Sequence, residues 1–264
     1  MEKPRALVLA GFGVNADTEL NHAFLMAGAE SRRVHLNDII AGKFRLEDFQ
    51  ILAFPGGFSF GDDLGSGKVY GNKFKFNLAE QMRKFLADGK LVVGICNGFQ
   101  MLVKMGLLPA FDKRYFEQTA TLTFNDSGRF EDRWVYLKAN ANSRCVFTKG
   151  IDVLYVPVRH GEGKFISASE ELRKRLHESG QVAFQYCDAA GNITAQYPLN
   201  PNGAVDSIAG ICDETGRVFG MMPHPEAHLF GVNNPHWARK GLSGAEGAGL
   251  KIFRNAVEFA KATF

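Results

Sequence analysis

The sequence predicts an α/β fold: a mostly parallel central sheet flanked by helices, continued by an antiparallel extension. Three observations predict it. Through the first half, short β-rich runs alternate with longer helix-like stretches, the pattern of a parallel sheet covered by helices. One run, LVVGI at 91–95, is apolar throughout, as suits a strand buried on both faces. Beyond residue 105 the β-branched and aromatic runs become more frequent, which reads as the antiparallel part.

Residues 5–10 form the first expected strand. Asp17 is placed to cap a helix carrying Leu20, Phe24 and Met26, which ends before Gly28. A second strand is expected at 33–36 and a third at 51–54, stopped by Pro55-Gly56-Gly57. Phe74, Leu78, Met82 and Phe85 recur at helical spacing until Asp88-Gly89. The strand 91–95 runs straight into Cys96, and 97–105 reads as a helix. Further strands are expected at 119–124, 134–137, 153–158 and 182–186. Ser167, with Glu170 and Glu171 behind it, signals the cap of a helix reaching about His177. Residues 205–211 and 218–222 flank a hairpin turn at 213–216, and a C-terminal helix carries Leu250, Phe253, Val257 and Phe259.

A chain of 264 residues is near the upper limit of one hydrophobic core, and with no repeat or linker in it, residues 1–264 read as a single domain. Apolar residues make up 45% and charged residues 22%, which suits a soluble globular protein and excludes a disordered or fibrous one. Lys and Arg number 31 against 28 Asp and Glu, and a net charge of +3 gives no footprint for nucleic acid. The apolar stretch near the start is too short for a signal peptide or a membrane span, so a cytoplasmic location is expected. Cys96, Cys145, Cys187 and Cys212 lie far apart without a zinc-like spacing, so neither disulfides nor a bound metal are expected.

The strongest chemical signal is Gly94-Ile95-Cys96-Asn97-Gly98, set between a buried strand and a helix. Flanking glycines relieve crowding in a sharp turn that lifts a nucleophile out at the carboxyl end of a sheet, where α/β folds bind ligands. There the helix N-terminus favours thiolate over thiol. A thiolate nucleophile needs a base, and Pro223-His224-Pro225-Glu226 offers one. The prolines hold His224 extended, and in an extended chain Glu226, two residues on, faces the same side and can orient the imidazole. Alone, His-Pro-Glu reads as a rigid surface turn; paired with the Cys96 elbow it reads as the rest of a triad. Attack on an amide makes an oxyanion, for which the N–H of Gly57 or Phe58 and that of Asn97 are the expected donors. The stretch 61–69 is no phosphate-binding P-loop, because Asp62 and Val69 stand where that motif needs Gly and Ser or Thr.

Taken together these residues resemble the class I glutamine amidotransferases, whose triad domain is a flavodoxin-like α/β sheet. PGGFSFGDDLGSGK (55–68), GICNGFQ (94–100), RHGEGKF (159–165), YPLNPNG (197–203) and MPHPE (222–226) narrow the resemblance to the glutaminase component of phosphoribosylformylglycinamidine synthase. The resemblance implies glutamine hydrolysis by a Cys96, His224, Glu226 triad through a thioester. It also implies delivery of ammonia to a formylglycinamidine synthetase partner that uses ATP and Mg2+ in purine synthesis, with no cofactor bound by this chain. It places Gly56 and Gln100 in the glutamine pocket, and assigns His160 and Glu162 to that pocket or to the face meeting the synthetase. The tail at 231–250 resembles that of the fused large enzyme more than the compact free subunit. Two other readings stay open: an amidotransferase serving a different acceptor, and a Cys hydrolase or redox sensor on the same sheet, which would have no use for the His-Pro-Glu segment.

Overall fold

The computed structural model describes residues 2–264. Strand β1 (Arg5–Ala10) leads through helix α1 (Asp17–Met26) to β2 (Glu30–His35), which runs parallel to it. After the short helix α2 (Leu36–Ile40), β3 (Ile51–Phe54) pairs with the other side of β1. Helix α3 (Lys68–Ala87) then carries the chain to β4 (Leu91–Ile95), beside β3, and α4 (Asn97–Met105) starts one residue later. The second half adds β5 (Ala120–Thr123), β6 (Glu131–Ala139), β7 (Val153–His160), β8 (Lys164–Ser167), α5 (Glu170–Glu178), β9 (Val182–Cys187), β10 (Ile208–Cys212), β11 (Val218–Met221) and α6 (Leu250–Thr263).

Nine strands form one sheet in the order β2-β1-β3-β4-β11-β10-β9-β6-β7. The first five are parallel, and β10, β9, β6 and β7 continue antiparallel. β5 and β8 make a separate antiparallel pair. The apolar runs of β3 and β4 are buried at every residue, as strands covered on both faces must be. Phe54 of β3 meets Phe74 of α3 edge-to-face at 5.2 Å, and Phe24 of α1 meets Phe253 of α6 in the same way. Each fully buried Phe is worth roughly 1.5–3 kcal/mol over its exposed form.

Three local expectations need correction. Asp17 is the first helical residue rather than the cap; the entry to α1 is fixed instead by the Asn15 and Ala16 N–H groups donating to Gly56 O, while the Asp17 carboxylate pairs with Arg33 at 3.2 Å. β2 begins at Glu30 because an edge strand has one side free and tolerates the polar Glu30-Ser31-Arg32. The cap of α5 is Ser169, whose Oγ accepts from Leu172 N at 3.2 Å, since Ser167 is still paired with Ala120 in β8.

Two glycines let α4 start where it does. A Cβ on Gly98 would lie 1.9 Å from Phe54 O, and one on Gly94 would lie 2.6 Å from Gly98 O. Both obstacles are backbone and cannot rotate away. Gly98→Ala is therefore expected to destabilise the protein by about 3 kcal/mol or more, read as a lowered urea midpoint. An unchanged midpoint would mean that the helix start slides freely along β3.

Candidate active site

The carboxyl ends of β3, β4 and β11 converge. β11 pairs with β4 in a register that sets Met221 opposite Ile95, and Cys96 N donates to Met221 O at 2.8 Å. The chain then reaches His224 three residues past that point. β7 is the far edge of the sheet, yet its carboxyl end touches the same place: His224 N donates to Pro157 O at 2.8 Å, and Cys96 Sγ lies 3.6 Å from Arg159 O. The twist accumulated over the antiparallel strands curls the last of them back over the ends of the parallel ones.

Cys96 has φ 52° and ψ −109°, a left-handed conformation that a side chain rarely adopts. Strain of this kind persists only where the surroundings enforce it, and here the enforcement is the β4–α4 turn, the geometry of a nucleophile elbow. His224 Nδ1 and Glu226 Oε1 are 2.6 Å apart and both residues are buried. The segment is not extended as expected. A 3-10 turn spans Pro225–Ala227, closed by Ala227 N donating to His224 O, and the two side chains converge inside the turn. Burial works to lower the His224 pKa, but the charges of Glu226 and Cys96 outweigh it and raise the pKa to about 10. Gly56 fits between the partners: a Cβ there would lie 2.8 Å from His224 Cε1 and 3.5 Å from Cys96 Cβ.

The expected donor set for an oxyanion narrows. Phe58 N–H donates to Gly13 O at 2.8 Å and is unavailable in this conformation. The backbone N–H groups of Gly57 and of Asn97, at the open start of α4, have no hydrogen-bond partner among the described residues. The Asn97 side chain is fully engaged, accepting from Ser59 N and donating to Asp62 Oδ1 and Gln100 Oε1. Gln100 Nε2 donates to Glu162 O, so Gln100 ties α4 to the 160–163 turn instead of facing an open pocket, and the Glu162 carboxylate accepts from Ser66 N. Asp62 accepts from Ser66, Gly67 and Asn97, though burial raises its pKa. Ser59 and Asp62 lie within the 55–68 motif but were given no role there, and Asn125, which binds His160, lies outside every motif.

Seven buried side-chain polar atoms among the described residues lack a partner, and four lie in this region: Ser59 Oγ, His160 Nε2, His224 Nε2 and Glu226 Oε2. Buried polar atoms are ordinarily paired, so such a concentration marks a place that a ligand completes. The site is nearly closed, with Cys96 5% exposed. A cavity of roughly 380 Å³, lined by His22, Arg159, Glu226 and Phe230 among others, reaches its Glu226 side. All four cysteines are free thiols.

Residues 3–260 match the family described as the CobB/CobQ-like glutamine amidotransferase domain. The chain belongs to this glutamine amidotransferase family. It is similar to the phosphoribosylformylglycinamidine synthase subunit PurQ of Methanococcus maripaludis, at 48% identity over 97% of both chains, and to that of Dehalococcoides mccartyi, at 49% over 99% of both. Among solved structures it resembles a chain of PurLQS from Thermotoga maritima, with a TM-score of 0.71 and 30% identity over 97% of this chain and 99% of that one. Both of these proteins, named as subunits, align with the chain over nearly its whole length.

Proposed function

We propose that residues 1–264 are a single domain acting as the glutaminase component of phosphoribosylformylglycinamidine synthase, which hydrolyses glutamine and supplies ammonia to a synthetase subunit in purine biosynthesis. The observation that carries the reading is a thiol on a strained elbow beside a buried His–Glu pair, in a chain 46–49% identical to PurQ proteins over nearly all its length. That similarity favours this acceptor over another one, and the His224–Glu226 pair favours covalent catalysis over a redox sensor.

In this reading Cys96 Sγ attacks the side-chain amide of glutamine, and the N–H groups of Gly57 and Asn97 hold the oxygen that gains charge. His224 hands its proton to the departing nitrogen, ammonia leaves, and a glutamyl thioester remains. His224 then takes a proton from water as it cleaves the thioester, releasing glutamate and restoring the Cys96 thiolate beside a protonated His224. Glu226 holds the imidazole in place and stabilises its charge. Gly56 leaves room for the imidazole, and Gln100 shapes the pocket by holding the 160–163 turn. ATP and Mg2+ act in the synthetase, where the activated acceptor is made, and the cytoplasm is the setting for the complex.

Because the site is nearly closed, docking of the synthetase is the step that opens and completes it. Glutamate release by the isolated chain is expected to be slow and to rise at least about ten-fold when the synthetase is added. Release that ignores the synthetase would keep the glutaminase and remove the purine assignment. No release in either case would remove both.

A further inference from the structure

We propose that Asn202 is a positioning residue: by holding the Gly163 carbonyl it sets the 160–163 turn, and through that turn the start of α4, where Asn97 follows Cys96. The inference rests on the glutaminase reading and gives work to the segment YPLNPNG (197–203), which that reading leaves unused.

Gly163 is gripped by two buried asparagines. Its N–H donates to Asn125 Oδ1 at 3.0 Å, and its C=O accepts from Asn202 Nδ2 at 2.7 Å. Asn202 is 0% exposed. The Ala204 N–H donates to Asn202 Oδ1 at 3.0 Å, which turns the –NH2 end toward Gly163 O and toward the Tyr186 hydroxyl, 3.1 Å away. The backbone around it is fixed as well. Asp126 N donates to Asn202 O at 3.3 Å, and Gly203, at φ 73°, passes so near Asp126 that a Cβ there would lie 2.0 Å from the carboxylate. Asn200 is also buried, but its side chain stays within the segment: its Nδ2 donates to Ala204 O at 3.0 Å and its Oδ1 accepts from Ala204 N at 3.2 Å. Of these two asparagines, one folds the segment on itself and the other reaches across to the turn.

The turn meets the active site at two points. The Arg159 carbonyl, immediately before it, lies 3.6 Å from Cys96 Sγ. Within it, Glu162 O accepts from Gln100 Nε2 at 2.5 Å, and Gln100 Oε1 accepts from Asn97 Nδ2 at 2.8 Å. Gly163 follows the Glu162 carbonyl directly, so a shift of Gly163 passes to Gln100 and on to Asn97. A buried carbonyl that loses its donor produces such a shift, because the turn must move to find another partner. Asn97 supplies an N–H for the oxyanion, and such a donor helps only if it is already aimed when the charge develops. A misplacement of about 1 Å costs about a hundred-fold in rate.

The test measures kcat and KM for glutamine, per folded molecule in complex with the synthetase, for wild type, Asn202→Ala, Asn202→Asp and Asn200→Ala, with the urea midpoint of each chain. At about pH 8 Asn202→Asp keeps the shape and the acceptor for Ala204 N and loses both N–H donors. Both Asn202 variants are expected to lower kcat about ten- to a hundred-fold while KM moves less than about three-fold, since the oxyanion donor acts in the transition state. Asn200→Ala is expected to lower the urea midpoint and to keep kcat within about two-fold of wild type. An equal loss of kcat in Asn200→Ala would overturn the inference, because the integrity of the segment and not its bond to Gly163 would then set the rate. Wild-type kcat in Asn202→Asp would overturn it too. Should Asn202→Ala fail to fold, Asn202→Asp, which leaves the bond to Ala204 in place, decides alone. Absence of turnover in the wild-type complex would instead overturn the glutaminase reading.

Discussion

In the complex with its synthetase, Cys96→Ala is expected to cut glutamine-dependent product formation by about 10⁴-fold or more, while product formation from added ammonia stays near the wild-type rate. The size of the first effect follows from the role proposed for Cys96 Sγ as the atom that forms the thioester. The second follows from the division of labour, because ammonia supplied from solution bypasses the elbow. Cys96 also occupies a strained backbone position with φ 52°, which Ala tolerates no better than Cys, so the variant keeps the same turn and its defect is chemical. Equal loss of both activities would count against separate sites for hydrolysis and synthesis.

Glu226→Gln is expected to lower glutamine turnover by about 10³-fold, because an amide cannot stabilise the imidazolium and can hold the ring in the wrong tautomer. The same variant has a signature in stability. The folded His224 pKa, about 10, stands above its ordinary 6.5, so the protonated ring stabilises the fold. That contribution is complete below about pH 6.5 and is lost as pH rises through about 10. Wild type should therefore lose melting temperature across this window, and Glu226→Gln should lose less, since Glu226 is the largest of the influences raising the pKa. Parallel curves for the two proteins would mean that the carboxylate does not hold the proton on His224.

The parallel half of the fold was legible because each of its strands and helices announces itself locally, by an unbroken apolar run or a helical period. Strand order was not. β11 inserts beside β4 although more than 120 residues separate them, and no local pattern encodes that pairing. Residues 164–167 were missed as a strand because Lys164 and Ser167 flank only two apolar residues, and β8 exists by pairing with β5. At the site, Cys96, His224 and Glu226 could be grouped because they fall in two short motifs, and the structure brings those motifs together at the ends of β4 and β11. The engagement of the Phe58 N–H by Gly13 was not, since it depends on two loops from different strands meeting. The Asn125–His160 bond was hidden for the same reason: it forms only once β5 pairs with β8 and sets the loop after β5 against the end of β7.

Near-complete enclosure of the Cys96 sulfur has a chemical consequence besides gating. A thiolate open to solvent is drawn up the oxidation ladder by peroxide, and beyond the sulfenic acid the damage is permanent. With Cys96 only 5% exposed between Gly56, His224 and the curled end of β7, the thiol is shielded from dissolved oxidants. In the proposed mechanism the resting subunit thus keeps its nucleophile in reserve, and its chemical lifetime should shorten in proportion to the time it spends at work.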